Sequence, residues 1–498
     1  MKKLLSTIVL LGTMFIQADD FDIDNMLNDI EKKTDLSEKT KLANSGVSFI
    51  YTRDDMDRMQ IHSLKDILKS IYPIGYNENR YGVADPFSQG TNHPFMSSLI
   101  KVFIDNQEIS VGLYGSGLSI MADLGIQWVD HMEVYTRSPT YEYSTESTLI
   151  LIKLYTKSAK KDDGGSVGIS SDSYGSLNLN THHSKEFDKW QYFSFLEHSD
   201  KKRKKYKSNG SEVSRDNNTN LVVATLNKEN HNILLLAKAQ KNDGFLDISL
   251  DGSPETSTID VDFIHLGYDT KVDDFLYLLS YDYMNMKTLM TDNNSSLYRN
   301  ETETTSEVFT GEFKYNLKTT KNNIITGVKY RAKKYSYDKS ILNNAPRPTT
   351  NDNDDLQTIS TIFFENQYSL ENNSIITVGS LYSIVKNNHS VQDDNMFMYR
   401  LGHTYTIENF TFKTIGSHTK TTLDPYLINS DTFLATPTEY YEPEEINSIV
   451  ENIIYQYDNN KYELILGYTI SKNHLIKDVN NKYNVPSKSN QLEKSFYS

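Results

Sequence analysis

Long segments with alternating side chains make up the last two-thirds of the chain and limit its fold most strongly. In KYELILGYTIS, residues 461–471, every second side chain from Tyr462 to Ile470 is apolar, and those between them are mostly polar. VFTGEFKYNL, residues 308–317, and GVKYRAKKY, residues 327–335, alternate in the same way. A period of two predicts a strand with one apolar face. We count about 16 such segments between Gly164 and Ser498.

The segments are often 10 to 13 residues long, whereas strands of globular proteins usually have about 5 to 6 residues. A tilted strand needs about 9 to 11 residues to cross a bilayer. The connections between them differ in length, as they do in transmembrane barrels with short turns at one end and long loops at the other. Residues 317–322 and 370–373 are tight, whereas 199–217, 286–304, 335–355 and 423–444 are long and polar. The pattern predicts an antiparallel transmembrane β-barrel and not a soluble sandwich.

The first residues predict export from the cytoplasm. Lys2 and Lys3 precede an apolar run from Leu4 to Ile16, and Ala18 is a small residue at the expected cleavage point. This is the pattern of a signal peptide over residues 1–18, and the run is too short for a membrane-spanning helix. Residues 19–45 are polar and are predicted to form a periplasmic N-terminal segment.

Charge and composition exclude some classes of protein. Without the two signal-peptide lysines, 49 basic residues face 66 acidic ones, a net charge of −17, which disfavours nucleic acid as a partner. The chain has no cysteine, so disulfides and thiolate zinc sites are not expected. It has 34 Tyr and 21 Phe despite a mean hydropathy of −0.56, as expected for strands with one face toward lipid and the other toward water.

Residues 46–157 have a mixed α/β pattern. Thr52 with Asp55, and Ser63 with Asp66, predict two capped helix starts. A long loop, Tyr76–Met96, leads to a strand at 99–104, a glycine-rich loop at 112–117, and two more strands, HMEVYTR and LILIKLYTK.

Five motifs in this region resemble the TonB-dependent outer-membrane receptors, in which a plug domain sits inside a 22-stranded barrel. The motifs, in the order of that family, are VSFIYTRDDMDRM, SLKDILKSI, KVFIDNQEI, VDHMEVYTRSP and LILIKLYTKS. The resemblance implies an α/β plug domain at 46–159, followed by an antiparallel transmembrane β-barrel at 160–498. Because about 16 strands are found where the family has 22, we expect the barrel to be incomplete and the chain to be a fragment. The alternative is a smaller barrel with little room for a plug.

Three positions depart from the family pattern. Ser97–Ser98 replaces arginine-glycine, Ser138–Pro139 replaces glycine-proline, and TEST at 145–148 replaces a glycine pair. These changes predict a plug of unusual internal geometry.

Asp105 raises the question of catalysis, because it follows an apolar strand. Asp105 and Asn106 join two strands, and both residue types tolerate the positive φ of a tight hairpin turn. We interpret Asp105 as a hairpin corner and not as a catalytic carboxylate.

Four other clusters have both a functional and a structural interpretation. His182–His183 lacks a third metal ligand at suitable spacing and is predicted to be a barrel turn. The run from Asp352 to Asp355 lacks the glycine and glutamate of an EF-hand loop and is predicted to be a solvated loop. Glu442, Glu444 and Glu445 are candidates for a cation or substrate contact in a long loop. The basic run KKRKKYK, residues 201–207, either contacts anionic lipopolysaccharide or is a solvated loop.

The resemblance implies an importer that is not an enzyme and needs no cofactor. Its partners would be outer-membrane lipid, the TonB inner-membrane complex acting on residues 19–45, and a small metal chelate or similar nutrient bound by a monomer. Substrate would bind on the plug loops Tyr76–Met96 and Gly112–Met121, and the candidate residues are Asn79, Arg80, Tyr81, Asp85 and Tyr114. The alternative functions are a non-transporting surface receptor or adhesin with a degenerate plug, and a soluble periplasmic β-protein.

Overall fold

The computed structural model describes most of the plug and barrel regions. The described residues are 47–71, 74–75, 87–88, 99–112, 115–136, 140–143, 146–208, 211–248, 254–292, 299–343, 345–346, 355–370, 373–388, 393–421, 443–457, 460–473, 475–477, 484–486 and 491–497. The predicted signal peptide and the segment 19–45 lie outside them.

The N-terminal part contains seven strands, five of them in one main sheet, and three short helices. Its strands are β1 (Val47–Thr52), β2 (Ile74–Gly75), β3 (Phe87–Ser88), β4 (Ile100–Ile104), β5 (Gln107–Ile109), β6 (Val129–Thr136) and β7 (Ile150–Thr156). Its helices are α1 (Arg53–Arg58), α2 (Leu64–Leu68) and α3 (Leu118–Met121), with a 3₁₀ turn at Tyr141–Tyr143. The main sheet has the order β1-β6-β7-β4-β5, with β4 parallel to β7 and the other pairs antiparallel. β2 and β3 form a separate pair.

The predicted helix starts and hairpin corner are confirmed. The Thr52 side chain accepts from the Asp55 amide, and Asp55 in turn accepts from the Thr52 amide, which makes a capping box before α1. Ser63 and Asp66 form the corresponding box before α2. Asp105 has φ of 51° between β4 and β5, and its carboxylate accepts from the amide and hydroxyl of Thr156 at 3.0 and 2.8 Å. Asp105 is therefore a corner that also ties the hairpin to the end of β7.

The C-terminal part consists of sixteen long strands in one antiparallel sheet. The first half is β8 (Gly164–Ser171), β9 (Leu177–Phe187), β10 (Trp190–Lys201), β13 (Asn217–Lys228), β14 (His231–Ile248), β15 (Pro254–Val272), β16 (Phe275–Asp292) and β17 (Arg299–Lys318). The second half is β18 (Asn322–Leu342), β20 (Asp355–Leu370), β21 (Ser374–Asn387), β22 (Asp394–Ile407), β23 (Phe410–Lys420), β24 (Glu445–Tyr457), β25 (Asn460–Lys472) and β28 (Gln491–Tyr497). Five short strands lie in the connections between the long ones: β11 (Tyr206–Ser208), β12 (Ser211–Val213), β19 (Ala345–Pro346), β26 (Leu475–Lys477) and β27 (Asn484–Pro486).

The long strands pair in chain order from β8 to β28 in one antiparallel sheet, and the count of about 16 predicted from the sequence is confirmed. Several strands are longer than predicted: β15 has 19 residues and β18 has 21. Most of residues 286–304 and 335–342, predicted as loops, therefore continue as strand. The prediction was wrong there because apolar alternation fades where a strand leaves the bilayer, although its backbone pairing continues.

Turns of two or three residues join the strands at one end of the sheet. Asp188, Asp273 and Glu408 each have a positive φ in such turns. The long connections all lie at the other end. In transmembrane barrels the short turns are periplasmic and the long loops extracellular, which fixes the direction of the molecule in the membrane.

The two faces of the barrel strands have opposite chemistry, as the alternation predicts. On β17, Phe309 is 43% exposed on the outer face, whereas Glu312 and Lys314 are buried toward the interior. Outward apolar residues of this kind recur from β15 to β25, among them Leu266, Tyr277, Leu279, Val328, Ile362, Leu401 and Tyr468. An apolar outer face around polar interior positions matches a bilayer outside and a wet or protein-filled lumen inside. Within the described residues, no helix is long and apolar enough to cross a membrane.

The N-terminal sheet lies in the lumen, where the barrel contacts it on many sides, and we call residues 47–156 the plug. The polar contacts of plug residues with barrel residues are Gln107 with Asp269, Glu108 with Arg331, Gly112 with Ser306, Ile120 with Lys238, Thr140 with Glu365, Tyr141 with Lys329, and Ser147 with Lys420. Phe49 packs against Val450 and Ile465 of β24 and β25. The described plug thus contacts long strands from β14 to β25.

The local structure of the histidine pair was predicted wrongly. His182 and His183 lie within β9 and not in a turn. Neighbouring residues of a strand point to opposite faces, so His182 pairs with Ser166 at 2.8 Å and His183 with Tyr192 at 2.7 Å. The two rings are therefore not placed to share a metal ion.

Candidate functional site

The five predicted substrate residues, Asn79, Arg80, Tyr81, Asp85 and Tyr114, lie outside the described residues. Their assignment stays a prediction. What the structure describes in detail is the interface that holds the plug in the lumen, and this interface is the candidate functional site because any importer of this architecture must loosen it.

The centre of the interface is a group of five buried charged residues, which we call the central charge cluster: Lys101, Glu108, Glu146, Arg331 and Lys333. Arg331 of β18 donates both terminal guanidinium nitrogens to Glu108, one of them at 2.9 Å. Glu146 accepts from Lys101 at 2.7 Å and pairs with Lys333 of β18. Both carboxylates belong to the plug, and two of the three cations belong to the barrel.

Alternation along one strand explains why the barrel cations converge. Lys329, Arg331 and Lys333 are every second residue of β18, so all three point into the lumen and are at most 4% exposed. Tyr330 points outward at 43% exposure. A single strand thereby presents a column of positive charge to the plug.

Three nearby cations, one of the plug and two of the barrel, determine the ionisation of Glu146. Burial by itself would raise the pKa of the carboxyl, but the nearby charges of Lys101, Lys333 and Arg331 hold the pKa well below its usual range. Glu146 is therefore a carboxylate at neutral pH. Removing one partner of a buried ion pair typically costs about 3–5 kcal/mol, because the other charge stays buried without compensation.

The 3₁₀ turn of the plug makes a second set of contacts. Lys329 donates to the carbonyls of Tyr141 and Glu142, at 3.3 Å for Tyr141, and Lys314 donates to the Glu142 carbonyl at 3.3 Å. Glu312 pairs with both lysines at 3.1 and 3.2 Å. Lys314 and Lys329 thus contact the plug, and Glu312 holds them in place.

A third set lies on the neighbouring strand β20. Glu365 accepts from the Thr140 hydroxyl at 2.9 Å and from the Tyr141 amide at 3.3 Å. Arg400 of β22 donates to the same carboxylate at 2.7 Å. The 3₁₀ turn is thus fixed to β17, β18 and β20 by charged groups of the barrel.

The plug also carries a tyrosine cluster, and among the described residues Lys314 of the barrel lies 5.2 Å from the centre of the Tyr143 ring in it. Glu133 accepts from the hydroxyls of Tyr135 and Tyr155 at 2.6 and 2.8 Å. Lys153 lies over the Tyr143 and Tyr155 rings at 4.1 and 4.9 Å. Burial raises the pKa of Tyr135 and Tyr155, and the Glu133 charge raises it further, so both stay protonated. No three His, Cys, Asp or Glu residues of the described part are grouped to hold a metal ion.

The sequence analysis did not single out the central charge cluster. Glu146 lies in TEST, where the chain departs from the family pattern, and the structure shows that this departure introduces a buried carboxylate. The alternation of Lys329, Arg331 and Lys333 was visible as a lumen-facing row. Their partners were not, because these partners are distant in the chain: the Glu108 carboxylate lies 223 positions from Arg331, and the Glu142 carbonyl lies 187 positions from Lys329.

Glu444 and the basic run have local roles in the described residues. Glu444 is 3% exposed and accepts from the Ser471 hydroxyl. Lys202 pairs with Asp200 and Asp216, and Lys205 pairs with Glu212. Glu442 and Asp352–Asp354 lie outside the described residues.

Solved structures with this architecture are outer-membrane uptake receptors. The ferric yersiniabactin uptake receptor FyuA from Yersinia pestis aligns over 88% of this chain and 74% of its own at a TM-score of 0.66 and 12% identity. The FrpB iron transporter from Neisseria meningitidis (F3-3 variant) aligns over 91% and 77% at 0.69 and 13%. The copper transporter OprC aligns over 88% and 73% at 0.69 and 11%. No protein-family model and no curated protein matches the sequence.

The chain therefore has the fold of the TonB-dependent outer-membrane receptors, as the five motifs predicted. That fold is a plugged barrel of the outer membrane, used by nutrient-uptake receptors. The three neighbours are described as an uptake receptor and two transporters.

Proposed function

We propose that this protein is an outer-membrane receptor for the energy-coupled uptake of a scarce nutrient, such as a siderophore, haem, cobalamin or a metal chelate. The observation that supports this most is the plug itself, a folded sheet in the lumen held by non-covalent contacts. A plug that never moved could be held by apolar packing alone, whereas the plug of an importer must close the lumen firmly and open it reversibly.

The central charge cluster fits that requirement. Buried ion pairs are geometrically specific but contribute little net stability compared with apolar packing of the same volume. They hold the plug in one position, and a moderate pull that separates one pair lets water reach the others. We propose that the TonB complex supplies this pull through residues 19–45.

The substrate would bind at the long-loop end, on the plug loops that contain Asn79, Arg80, Tyr81, Asp85 and Tyr114. The iron and copper described for the neighbouring structures favour a metal chelate as the first class to test.

The test is uptake of a defined panel by cells with and without this protein. The panel contains radiolabelled ferric catecholate, hydroxamate and phenolate chelates, haem, cobalamin and copper chelates. An importer accumulates at least one of them inside the cell only when the protein is present. Binding to the cell surface without accumulation would instead identify the non-transporting receptor or adhesin.

A further inference from the structure

A cavity of about 600 Å³ lies at the short-turn end, between the plug and one side of the barrel wall. The turn residue Asn106 lines it on the plug side. The barrel side consists of the β9–β10 turn, the β13–β14 turn and the lower end of β15. Cavities of about 300–1,000 Å³ are the size of small-molecule sites, and this one faces the periplasm.

Every residue that lines the cavity is polar or charged. The acidic ones are Glu186, Asp188, Glu229 and Asp269, and the lysines are Lys160 and Lys189. Four carboxylates against two ammonium groups give an acidic surface, and the amides of Asn106, Gln191, Asn227, Asn230 and Asn232 offer both donors and acceptors. This chemistry suits a hydrophilic solute that is neutral or positively charged, and not an apolar one.

The roof of the cavity is held by one carboxylate. Asp269 of β15 is 5% exposed and accepts from the side-chain amides of Gln107 at 2.9 Å and Asn106 at 3.3 Å. It also accepts from the amide of Asn232 on β14 at 3.0 Å. Asp269 thus joins the turn between β4 and β5 to the barrel.

The plug element next to Asp269 is a short edge strand. β5 is the outer strand of the plug sheet and pairs only with β4, over three residues. Its side chains Gln107 and Glu108 meet Asp269 of β15 and Arg331 of β18. Moving β5 therefore disturbs one short strand pair and the Glu108–Arg331 pair, whereas moving β6 or β7 would break the centre of the sheet.

Directly above the roof, polar groups face one another without hydrogen bonds. His265 is fully buried, and its Nδ1 contacts Asp282 at 2.8 Å. Within the part of the chain that the structure describes, His265 Nε2 and Gln107 Oε1 have no hydrogen-bond partner. A methyl group built on Gly267 would lie 2.7 Å from Gln107 Oε1 and 2.9 Å from His265 Nε2, so both atoms border the same spot. Buried polar groups without partners are costly, and a passing hydrophilic solute would satisfy them.

The next strands of the barrel wall hold the plug differently. There the plug is fixed by charged groups of β17, β18 and β20, namely the central charge cluster and the contacts of the 3₁₀ turn. A bidentate guanidinium–carboxylate pair constrains direction as well as distance. The side at β14 to β16 lacks such a pair among the described residues.

We propose that the cavity is the periplasmic exit vestibule of the receptor, and that a hydrophilic solute leaves between β5 and the β14–β16 wall when the contacts of Asp269 open. We call this path the exit seam. The inference rests on the proposed uptake function and adds to it the route, the residue that holds the route closed, and the charge preference of the solute.

The first experiment tests the vestibule and needs no substrate. The chain has no cysteine, so Gln191→Cys and Thr411→Cys each introduce a single thiol. Both positions are the second residue of a strand that rises from a short turn, but only Gln191 lines the cavity, and Thr411 is 5% exposed. In purified protein in lipid vesicles, hydrophilic maleimides should label position 191 and not position 411. Absence of labelling at position 191 would overturn the proposal.

The second experiment tests the route, with a short thiol-to-thiol crosslinker. Asn106→Cys with Asp269→Cys closes the exit seam. Ser147→Cys with Met398→Cys is the matched pair on the opposite wall, where Ser147 Oγ and Met398 Sδ are 3.7 Å apart and neither side chain is charged. Uptake of the panel member that wild-type cells import should be lost after crosslinking the first pair and retained after crosslinking the second. Each double variant without crosslinker shows whether the substitutions alone matter.

The outcomes separate the two proposals. Retained uptake with the exit seam crosslinked, or loss with either pair crosslinked, would overturn the exit seam while leaving the uptake function standing. Failure of wild-type cells to import any panel member would instead contradict the uptake function, and the labelling comparison would still decide whether the vestibule exists.

Discussion

Glu146→Gln is the substitution that examines the plug contacts most sharply. The change keeps the shape of the side chain and removes only its charge. Glu146 is 3% exposed and is the carboxylate shared by Lys101 and Lys333. After the change these two ammonium groups stay buried, and the remaining carboxylate of the central charge cluster, Glu108, is already bound in a bidentate pair with Arg331.

The expected cost follows from that arrangement. Removing one partner of a buried ion pair costs about 3–5 kcal/mol, and the free energy of plug unfolding should fall by this amount. Glu229→Gln is the matched control, because Glu229 pairs with Lys189 at 2.7 Å but both side chains are more than half exposed. Exposed pairs contribute little, so the control should leave plug unfolding unchanged.

The two tryptophans of the chain provide the assay. Trp128 is fully buried in the plug, and its indole donates to the Gly125 carbonyl at 2.7 Å, whereas Trp190 begins β10 of the barrel. In a Trp190→Phe background, fluorescence during a urea titration therefore reports the plug alone. A loss of less than about 1 kcal/mol for Glu146→Gln, the range of exposed pairs, would refute the inference that this cluster holds the plug.

Four further predictions concern stability, pH and location. Arg331→Lys should cost about 1.5–3 kcal/mol in the same titration, because an ammonium group cannot reproduce the bidentate pair with Glu108; an unchanged midpoint would contradict this. Asp105→Ala should lower plug stability by about 1–3 kcal/mol through its lost hydrogen bonds to Thr156 and leave substrate binding intact, so a loss of binding with normal folding would contradict the corner assignment. Because folding lowers the pKa of Glu146, the stability that its charge contributes is fully present above the ordinary pKa of 4.5 and is lost only as the pH falls through the lower folded pKa. The difference in unfolding free energy between wild type and Glu146→Gln should therefore be constant from about pH 8 to 5. A difference that disappears near neutral pH would contradict the pairing. The protein should fractionate with the outer membrane and resist carbonate extraction, and recovery in the soluble periplasm would contradict the barrel.

The sequence predicted the features that depend on local pattern. Alternation along β17, β18 and β25 predicted which side chains face outward, and Thr52 with Asp55 predicted the start of α1. The number of long strands was also predicted correctly. Each of these follows from residues within a few positions of one another.

The features that the sequence did not predict depend on distant partners or on backbone pairing beyond the bilayer. Glu108 and Arg331 meet across more than two hundred positions, and no local pattern marks Glu108 as the partner of a barrel residue. The upper parts of β17 and β18 were predicted as loops because their side chains are polar on both faces. The histidine pair was placed in a turn because two adjacent polar residues interrupt the apolar alternation of β9.

The most direct test of the central claim is the initial rate of uptake of the imported panel member in cells with and without the TonB complex. If uptake is energy-coupled and buried charge pairs hold the plug, deletion of the complex should leave surface binding unchanged and abolish accumulation inside the cell. Equal accumulation in both strains would contradict the claim, because it would mean that the lumen opens without a pull on the plug.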